Sequence, residues 1–236
     1  MEKGNWPSAI GGGIVGALLV GGVIIGFGPQ LLGERLVYES LRSKPEILIE
    51  LSDLLRDKQY APLIDANREI IETPFATSWK GAENPDVVMV EFYDYACGYC
   101  RLTNPDIERL LKEDKGLRVV YRELPVLGPD SIIAAQASLA ASKAGKFREF
   151  HDSLFSAEGP TEESVNKALA AAGLTFNDIH DEAYRAEIQK NYELANLLGA
   201  SGTPLFVIGN RVINAAEGYD AYKSAIDAAR RAKEQG

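Results

Sequence analysis

Both cysteines of the chain lie in one C-x-x-C motif at residues 97–100. The apolar run VVMVEF at 87–92 comes just before the motif and is typical of a strand buried in a sheet. After the motif, the apolar residues Ile107, Leu110 and Leu111 share one face of a helix. The pattern therefore predicts that both sulfurs lie at a junction between a buried strand and a helix.

This position predicts that Cys97 is a reactive thiol. A cysteine in the first turn of a helix is acidified by the helix dipole and by unpaired backbone N–H groups, and the thiolate is the nucleophile. Cys100 lies one turn later on the same face, close enough to attack a mixed disulfide at Cys97. We therefore predict that Cys97 attacks the substrate and that Cys100 closes the internal disulfide.

A zinc site is the alternative interpretation of a C-x-x-C motif. The only histidines, His151 and His180, are far apart and lack the short spacing of a zinc finger. We therefore predict no metal and no cofactor beyond the dithiol of Cys97 and Cys100. Two cysteines are also too few for a scaffold held together by disulfides.

The composition is that of an ordinary globular protein. Hydrophobic residues make up 46% of the 236 residues and charged residues 25%, which excludes disorder for most of the chain. The net charge is −9, and the only notable basic cluster is Arg230, Arg231 and Lys233 at the C-terminus. We expect no binding to nucleic acid, because neutralising phosphates needs a concentrated basic face.

An apolar, uncharged segment of eighteen residues runs from Ile10 to Phe27. Its length and the absence of a cleavage pattern after it favour a membrane anchor at 1–28 over a cleaved signal peptide. Basic residues are more frequent after the segment than before it, which alone would keep the rest of the chain in the cytoplasm. We nevertheless predict a single-pass anchor in the inner or cytoplasmic membrane with an extracytoplasmic (periplasmic) remainder, because a vicinal dithiol suits an oxidising compartment.

Residues 29–72 are predicted to form a helical arm. Pro45 suits the first turn of a helix, and an apolar stripe follows it opposite acidic residues. The stripe consists of Ile47, Leu48, Leu51, Leu54 and Leu55. The arm is too short to form its own core, so the stripe must be buried against its own domain, a membrane surface or another copy. We favour a homo-oligomer formed through residues 34–59, and the acidic face makes the membrane surface the weakest alternative.

The rest of the chain, 73–236, alternates strands and helices in the order β-α-β, four helices, β-β-α. The second strand is predicted at 117–122, and the last two strands, at 205–208 and 211–213, flank the two-residue hairpin turn Gly209-Asn210. The helices between them are predicted at about 130–144, 147–156, from 161 onward and at 182–198, and a last helix at 219–233.

Three stretches resemble the DsbA-like family of thiol–disulfide oxidoreductases: VEFYDYACGYC, GKFREFHDSLF and LGASGTPLFVIGNRV. The resemblance implies a thioredoxin fold with a helical subdomain inserted at about 129–200. The predicted fold class is therefore α/β, a thioredoxin fold with a helical insertion, preceded by a transmembrane helix and a helical arm. CGYC with a threonine before the family's cis-proline is similar to the disulfide isomerases of the DsbC and DsbG type. Membrane-anchored ScsC-like proteins combine this isomerase-like motif with a DsbA-like domain and an oligomerising arm.

The resemblance also assigns site residues. Pro204 matches the family's cis-proline, which would expose the backbone of Thr203 beside Cys97 for pairing with an extended substrate peptide. Glu91 matches the family's buried acid, which suits a proton acceptor for Cys100; a solvated glutamate at a sheet edge is the alternative.

Two more residues lie in the matching motifs. Tyr99 is predicted to contribute to the substrate-binding surface. His151 is predicted to be a packing residue rather than a catalytic one.

The sequence therefore predicts an extracytoplasmic thiol–disulfide oxidoreductase that acts on cysteines of secreted or envelope proteins. Gly98 and Tyr99 supply no cation to the thiolate, which favours isomerase or reductase activity over net oxidation. The alternatives are a DsbA-like disulfide oxidase and a non-enzymatic peptide-binding chaperone. The expected partners are client proteins with cysteines and a membrane redox partner that reduces or reoxidises the motif.

Overall fold

The computed structural model describes residue 33 and residues 36–235. The predicted anchor segment at 10–27 lies outside this range. Among the described residues, no helix has both the length and the apolar character needed to cross a bilayer. Contacts divide the chain into two units, Met1–Leu55 and Arg56–Gly236. The functional division predicted above, with boundaries after residues 28 and 72, stays a prediction.

The described part of the first unit is helical. Helix α1 is described at 36–43, and α2 begins directly after Pro45 and covers Glu46–Glu72, so that it enters the second unit. Leu48, Leu51, Leu54 and Leu55 are all about half exposed or more. Within the described residues of this unit, the predicted apolar stripe is therefore largely uncovered.

The second unit contains a five-stranded mixed sheet in the order β1-β3-β2-β4-β5. The strands are β1 (Trp79–Gly81), β2 (Val87–Tyr93), β3 (Leu117–Glu123), β4 (Leu205–Ile208) and β5 (Arg211–Ile213). β2 and β3 are parallel, and the other neighbouring pairs are antiparallel. β2 is thus the central strand, as its apolar sequence indicates.

Helices lie on both faces of this sheet. The helices after α2 are α3 (Gly98–Glu113), α4 (Pro129–Lys143), α5 (Phe147–Phe155), α6 (Glu162–Ala171), α7 (Glu182–Leu197) and α8 (Tyr219–Gln235). A one-turn 3-10 helix, Phe176–Ile179, precedes α7. Helices α4 to α7 all lie between β3 and β4 in the chain, and this mixed sheet with helices on both faces is the predicted thioredoxin-like α/β fold.

Alternating side chains of β2 divide the core in two. Met89 and Tyr93 point into the larger cluster, which includes residues of α3, α4, α5 and α8. Val90 and Phe92 point into the other cluster, to which α2 contributes Ile64 and Ile71, both fully buried. The second half of α2 therefore belongs to the core of the sheet.

Arg122 of β3 fastens the end of α2 to the sheet. Its side chain is buried, and its guanidinium donates to the backbone oxygens of Ile71 and Thr73, each at 2.9 Å. It also donates to Asn191 Oδ1 at 2.8 Å and to Glu187 Oε1 at 3.2 Å, both on α7. A buried guanidinium needs such partners, because it cannot lose its charge.

Candidate active site

Cys97 lies where β2 passes into α3. It is the N-cap residue of α3, with extended backbone angles (φ −78°, ψ 117°), and is 6% exposed. Its sulfur lies 3.2 Å from the backbone oxygen of Thr203, to which it donates only when it is protonated. A hydrogen bond from Cys100, together with the Thr203 side chain and the backbone N–H groups of Cys100 and Tyr99, lowers the pKa of Cys97 to about 5, although burial opposes this effect. Cys97 is therefore a thiolate at neutral pH.

Cys100 has the opposite character. It lies within the first turn of α3, is fully buried, and its thiol donates to the sulfur of Cys97. Burial raises the pKa of Cys100, and the bond to Cys97 and the charge of Glu91 raise it further. The sulfur of Cys97 can therefore attack a disulfide as a thiolate, whereas Cys100 must first lose its proton to a base.

Glu91 is buried in the central strand, between Tyr121 of β3 and Phe206 of β4. Burial raises the pKa of Glu91 to about 8, while the charge of Lys80 and a hydrogen bond from Thr103 limit the rise. Thr103 Oγ1 lies 3.5 Å from Glu91 Oε1 and 2.9 Å from the backbone oxygen of Cys100. A carboxyl group of this pKa can exchange a proton near neutral pH.

The Thr203–Pro204 peptide bond is cis and faces Cys97. A cavity of about 630 Å³ opens beside these residues. Its lining includes Cys97, Tyr99, Val126, Leu127, Tyr192 and Thr203. Tyr99 is 65% exposed, so the cavity has an accessible aromatic side chain next to the reactive sulfur.

The sequence pattern of the DSBA-like thioredoxin domain matches residues 88–227. The chain belongs to this family. The matched DSBA-like region contains both cysteines, Glu91 and the cis-proline.

Two relatives of the chain differ in size. Na(+)/H(+) antiporter NhaA 1 of Salinispora arenicola is 28% identical over 159 residues, which are 64% of this chain and 24% of the antiporter. The chain thus spans about a quarter of that relative's length. Disulfide bond formation protein D of Bacillus subtilis is 27% identical over 164 residues, 62% of this chain and 74% of that protein.

A solved structure with the same fold is the catalytic domain of Proteus mirabilis ScsC. The TM-score is 0.66 and the identity 25%, over 73% of this chain and 99% of that domain. The match therefore spans nearly the whole of that catalytic domain.

His151 lies in the core of the DSBA-like domain. Its ring centroid lies 4.6 Å from that of Tyr121 and 4.7 Å from that of Phe155, and the residue is fully buried. Burial lowers the pKa of His151 to about 4, so the ring is neutral at neutral pH. These contacts are those of a packing residue.

Three residues near the site were not singled out from the sequence. Thr103 is three residues after Cys100, and this helical spacing is the signal that could have identified it. Lys80 lies on β1 and its side chain is only 6% exposed; its ammonium bonds to Glu108 Oε1 at 2.6 Å and to Asp152. Asp94 precedes the motif and is 1% exposed. Lys80 and Asp94 contact residues that are far away in the sequence, so no local sequence pattern predicts their roles.

No group of three or more potential metal-ligating side chains comes together within the described part of the chain. The prediction that only the dithiol serves as the redox group stays a prediction.

Proposed function

We propose that the chain catalyses thiol–disulfide exchange on cysteine-containing client proteins. The observation that carries this proposal is the placement of Cys97 at the N-cap of α3, where the pKa of its thiol is lowered to about 5, with the buried and protonated Cys100 one turn later. The family and the name of the Bacillus relative support the same class of reaction.

The reaction begins at Cys97. Its thiolate attacks a client disulfide, forms a bond to one client sulfur and releases the other as a thiolate. Cys100 then transfers its proton to the ionised form of Glu91 and attacks the sulfur of Cys97. The second client sulfur leaves as a thiolate, so the client has gained two electrons and Cys97–Cys100 is a disulfide. In isomerisation, another client thiolate displaces Cys97 before Cys100 acts.

The cavity beside Cys97 is the proposed site for the client. The backbone of Thr203 faces Cys97, so an extended peptide can pair with it while its side chains contact Tyr99 and Val126. A cavity of about 630 Å³ has room for a few side chains of such a peptide. The client is therefore an unfolded or flexible segment with a cysteine.

We favour isomerase or reductase activity, carried out by an oligomer. The stripe residues Leu48, Leu51, Leu54 and Leu55 are exposed on the described part of the arm, and burying each would contribute about 1.5–3 kcal/mol. A second copy of this chain offers an identical stripe, so residues 34–59 would join the catalytic domains around one client. Net oxidation by a DsbA-like enzyme is the second candidate, favoured by the acidity of Cys97.

We place the catalytic domain outside the cytoplasm, held by the predicted anchor at 1–28. There, a membrane redox partner keeps Cys97 and Cys100 in the working state, reduced for isomerisation or oxidised for net oxidation.

Refolding assays with the full-length protein test this proposal. Wild type should restore activity to a model enzyme with scrambled disulfides, and Cys97→Ser should not. Faster recovery from the fully reduced enzyme than from the scrambled one would favour the oxidase. Equal recovery with wild type and Cys97→Ser would show that the protein acts as a chaperone, and the proposal would be wrong.

A further inference from the structure

One wall of the cavity beside Cys97 is an irregular segment of chain. Residues 124–128 follow β3 and belong to no strand or helix. Within this segment, Val126 and Leu127 are 46% and 55% exposed and line the cavity. Exposed apolar side chains in an irregular segment make a useful binding surface only if the backbone is held in place.

The side chain of Asp94 holds this backbone. One carboxylate oxygen, Oδ2, accepts the N–H of Val126 at 2.8 Å and the N–H of Leu127 at 3.0 Å. The other oxygen, Oδ1, accepts the N–H of Ala96 at 2.8 Å. Asp94 is 1% exposed, and these three N–H groups are the hydrogen-bond partners that its buried side chain needs.

The backbone of Asp94 contacts the dithiol loop. Its oxygen accepts the N–H of Cys97 at 3.0 Å, and its N–H donates to the sulfur of Cys100. The main chain of Asp94 thus bonds to Cys97 and Cys100, and its side chain bonds to the Val126–Leu127 segment that forms the cavity wall.

We propose that Asp94 is a positioning residue for client binding, whose carboxylate holds the Val126–Leu127 segment beside Cys97 as the apolar wall of the client site. The inference rests on the proposed function and deepens it. The side chain acts through the wall and not on the sulfurs, so it should govern how well a client binds more than how fast the thiolate reacts.

Asparagine cannot replace this carboxylate. It has a single acceptor oxygen, and its NH2 group would face backbone N–H donors. The amide oxygen can accept either from Ala96 or from Val126 and Leu127, and in the second case the two bonds to the wall lose the negative charge of the carboxylate, so the wall is held less firmly in either orientation. Asp94→Asn should therefore raise the KM for a client peptide about five- to tenfold.

The test uses full-length protein with an excess of a small dithiol, dithiothreitol, which reduces the Cys97–Cys100 disulfide after each turnover, and rates are corrected for the reaction without protein. Two oxidised substrates are compared. One is a disulfide-containing peptide with apolar residues beside its cysteines, and the other is oxidised glutathione, which is too small to need the wall. Asp94→Asn should raise the peptide KM, while kcat for the peptide and the rate with glutathione stay within about twofold of wild type. The pH midpoint of Cys97 alkylation should stay within about 0.3 pH unit, which corresponds to the same factor of two. Asp130→Asn is the matched control, because it removes an exposed charge near the start of α4 and should change none of these values.

An unchanged peptide KM, or an equal slowing with both substrates, would overturn the inference. Failure of the proposed function looks different, because wild type itself would then reduce neither substrate.

Hydrogen exchange in the wild-type protein tests the inference even if Asp94→Asn does not fold. The amides of Val126 and Leu127 should exchange slowly, since their acceptor is buried. Exchange at the rate of an unstructured peptide would mean that Asp94 does not hold the wall.

Discussion

Glu91 should make the fold less stable as the pH rises, and Glu91→Gln should remove this effect. The unfolded chain ionises the residue near its ordinary pKa of 4.5, whereas burial in the folded protein keeps it protonated up to about pH 8. The folded state therefore binds more protons between these values, and the free energy of unfolding falls as the pH rises through this interval.

The pKa values set the magnitude. Each pH unit of the interval costs about 1.4 kcal/mol, so the whole interval costs about 5 kcal/mol. Below about pH 4 both states hold the proton and the cost disappears. Glutamine keeps an oxygen that can accept from Thr103, but it cannot ionise. The variant should match wild type near pH 4 and exceed it by about 5 kcal/mol at pH 8 and above.

Urea unfolding of the reduced protein at pH 4, 6 and 8, followed by circular dichroism, measures this difference. Glu158→Gln serves as the control, since Glu158 is exposed and a surface substitution should change the free energy of unfolding by less than about 0.5 kcal/mol. In the same Glu91→Gln protein, the rate at which mixed disulfides are resolved at pH 8 should fall at least about 100-fold, because Cys100 has lost its proton acceptor.

A stability difference between wild type and Glu91→Gln that is the same at pH 4 and pH 8 would refute the reasoning. The carboxyl pKa would then not be raised by folding, and the carboxylate of Glu91 would be too weak a base to take a proton from Cys100.

Alkylation by iodoacetamide should reach half its maximal rate near pH 5 at Cys97 and leave Cys100 unlabelled in the native protein; predominant labelling of Cys100 would reverse their roles. Cys100→Ser should accumulate mixed disulfides with clients on non-reducing gels, and their absence would argue against exchange chemistry. Deleting residues 1–55 should leave a folded monomer by light scattering, whereas a wild-type monomer at tens of micromolar would contradict the oligomeric arm. Deleting 1–72 should cost far more stability, because it also removes two fully buried isoleucines of α2.

The parts of the fold that depend on neighbouring residues could be predicted from the sequence. The apolar run at 87–92 is β2, and Gly209-Asn210 forms the turn between β4 and β5, with Gly209 at a φ of +59° that favours glycine. The strand β1 could not be predicted, because three residues with a buried lysine carry no strand pattern and are paired only through β3.

The candidate active site likewise has features that the sequence predicts and features that it does not. The place of Cys97 at the beginning of α3 follows from the strand and helix patterns on either side of it. The bonds that Asp94 makes to Val126 and Leu127 join segments about thirty residues apart. Likewise, the α2 carbonyls that Arg122 holds lie some fifty residues before it. Such contacts depend on how the finished sheet brings distant loops together, and neither hydrophobic periodicity nor turn residues encode them.

The closeness of Cys100 to Cys97 also bears on oxidative damage. Peroxide in the surrounding compartment would react first with the thiolate of Cys97 and convert it to a sulfenic acid, whereas Cys100 is both protonated and inaccessible. The neighbouring thiol can then condense with the sulfenic acid, losing water and forming the ordinary disulfide. The first oxidative lesion would therefore be returned to the catalytic cycle before it advances to an irreversible sulfinic acid.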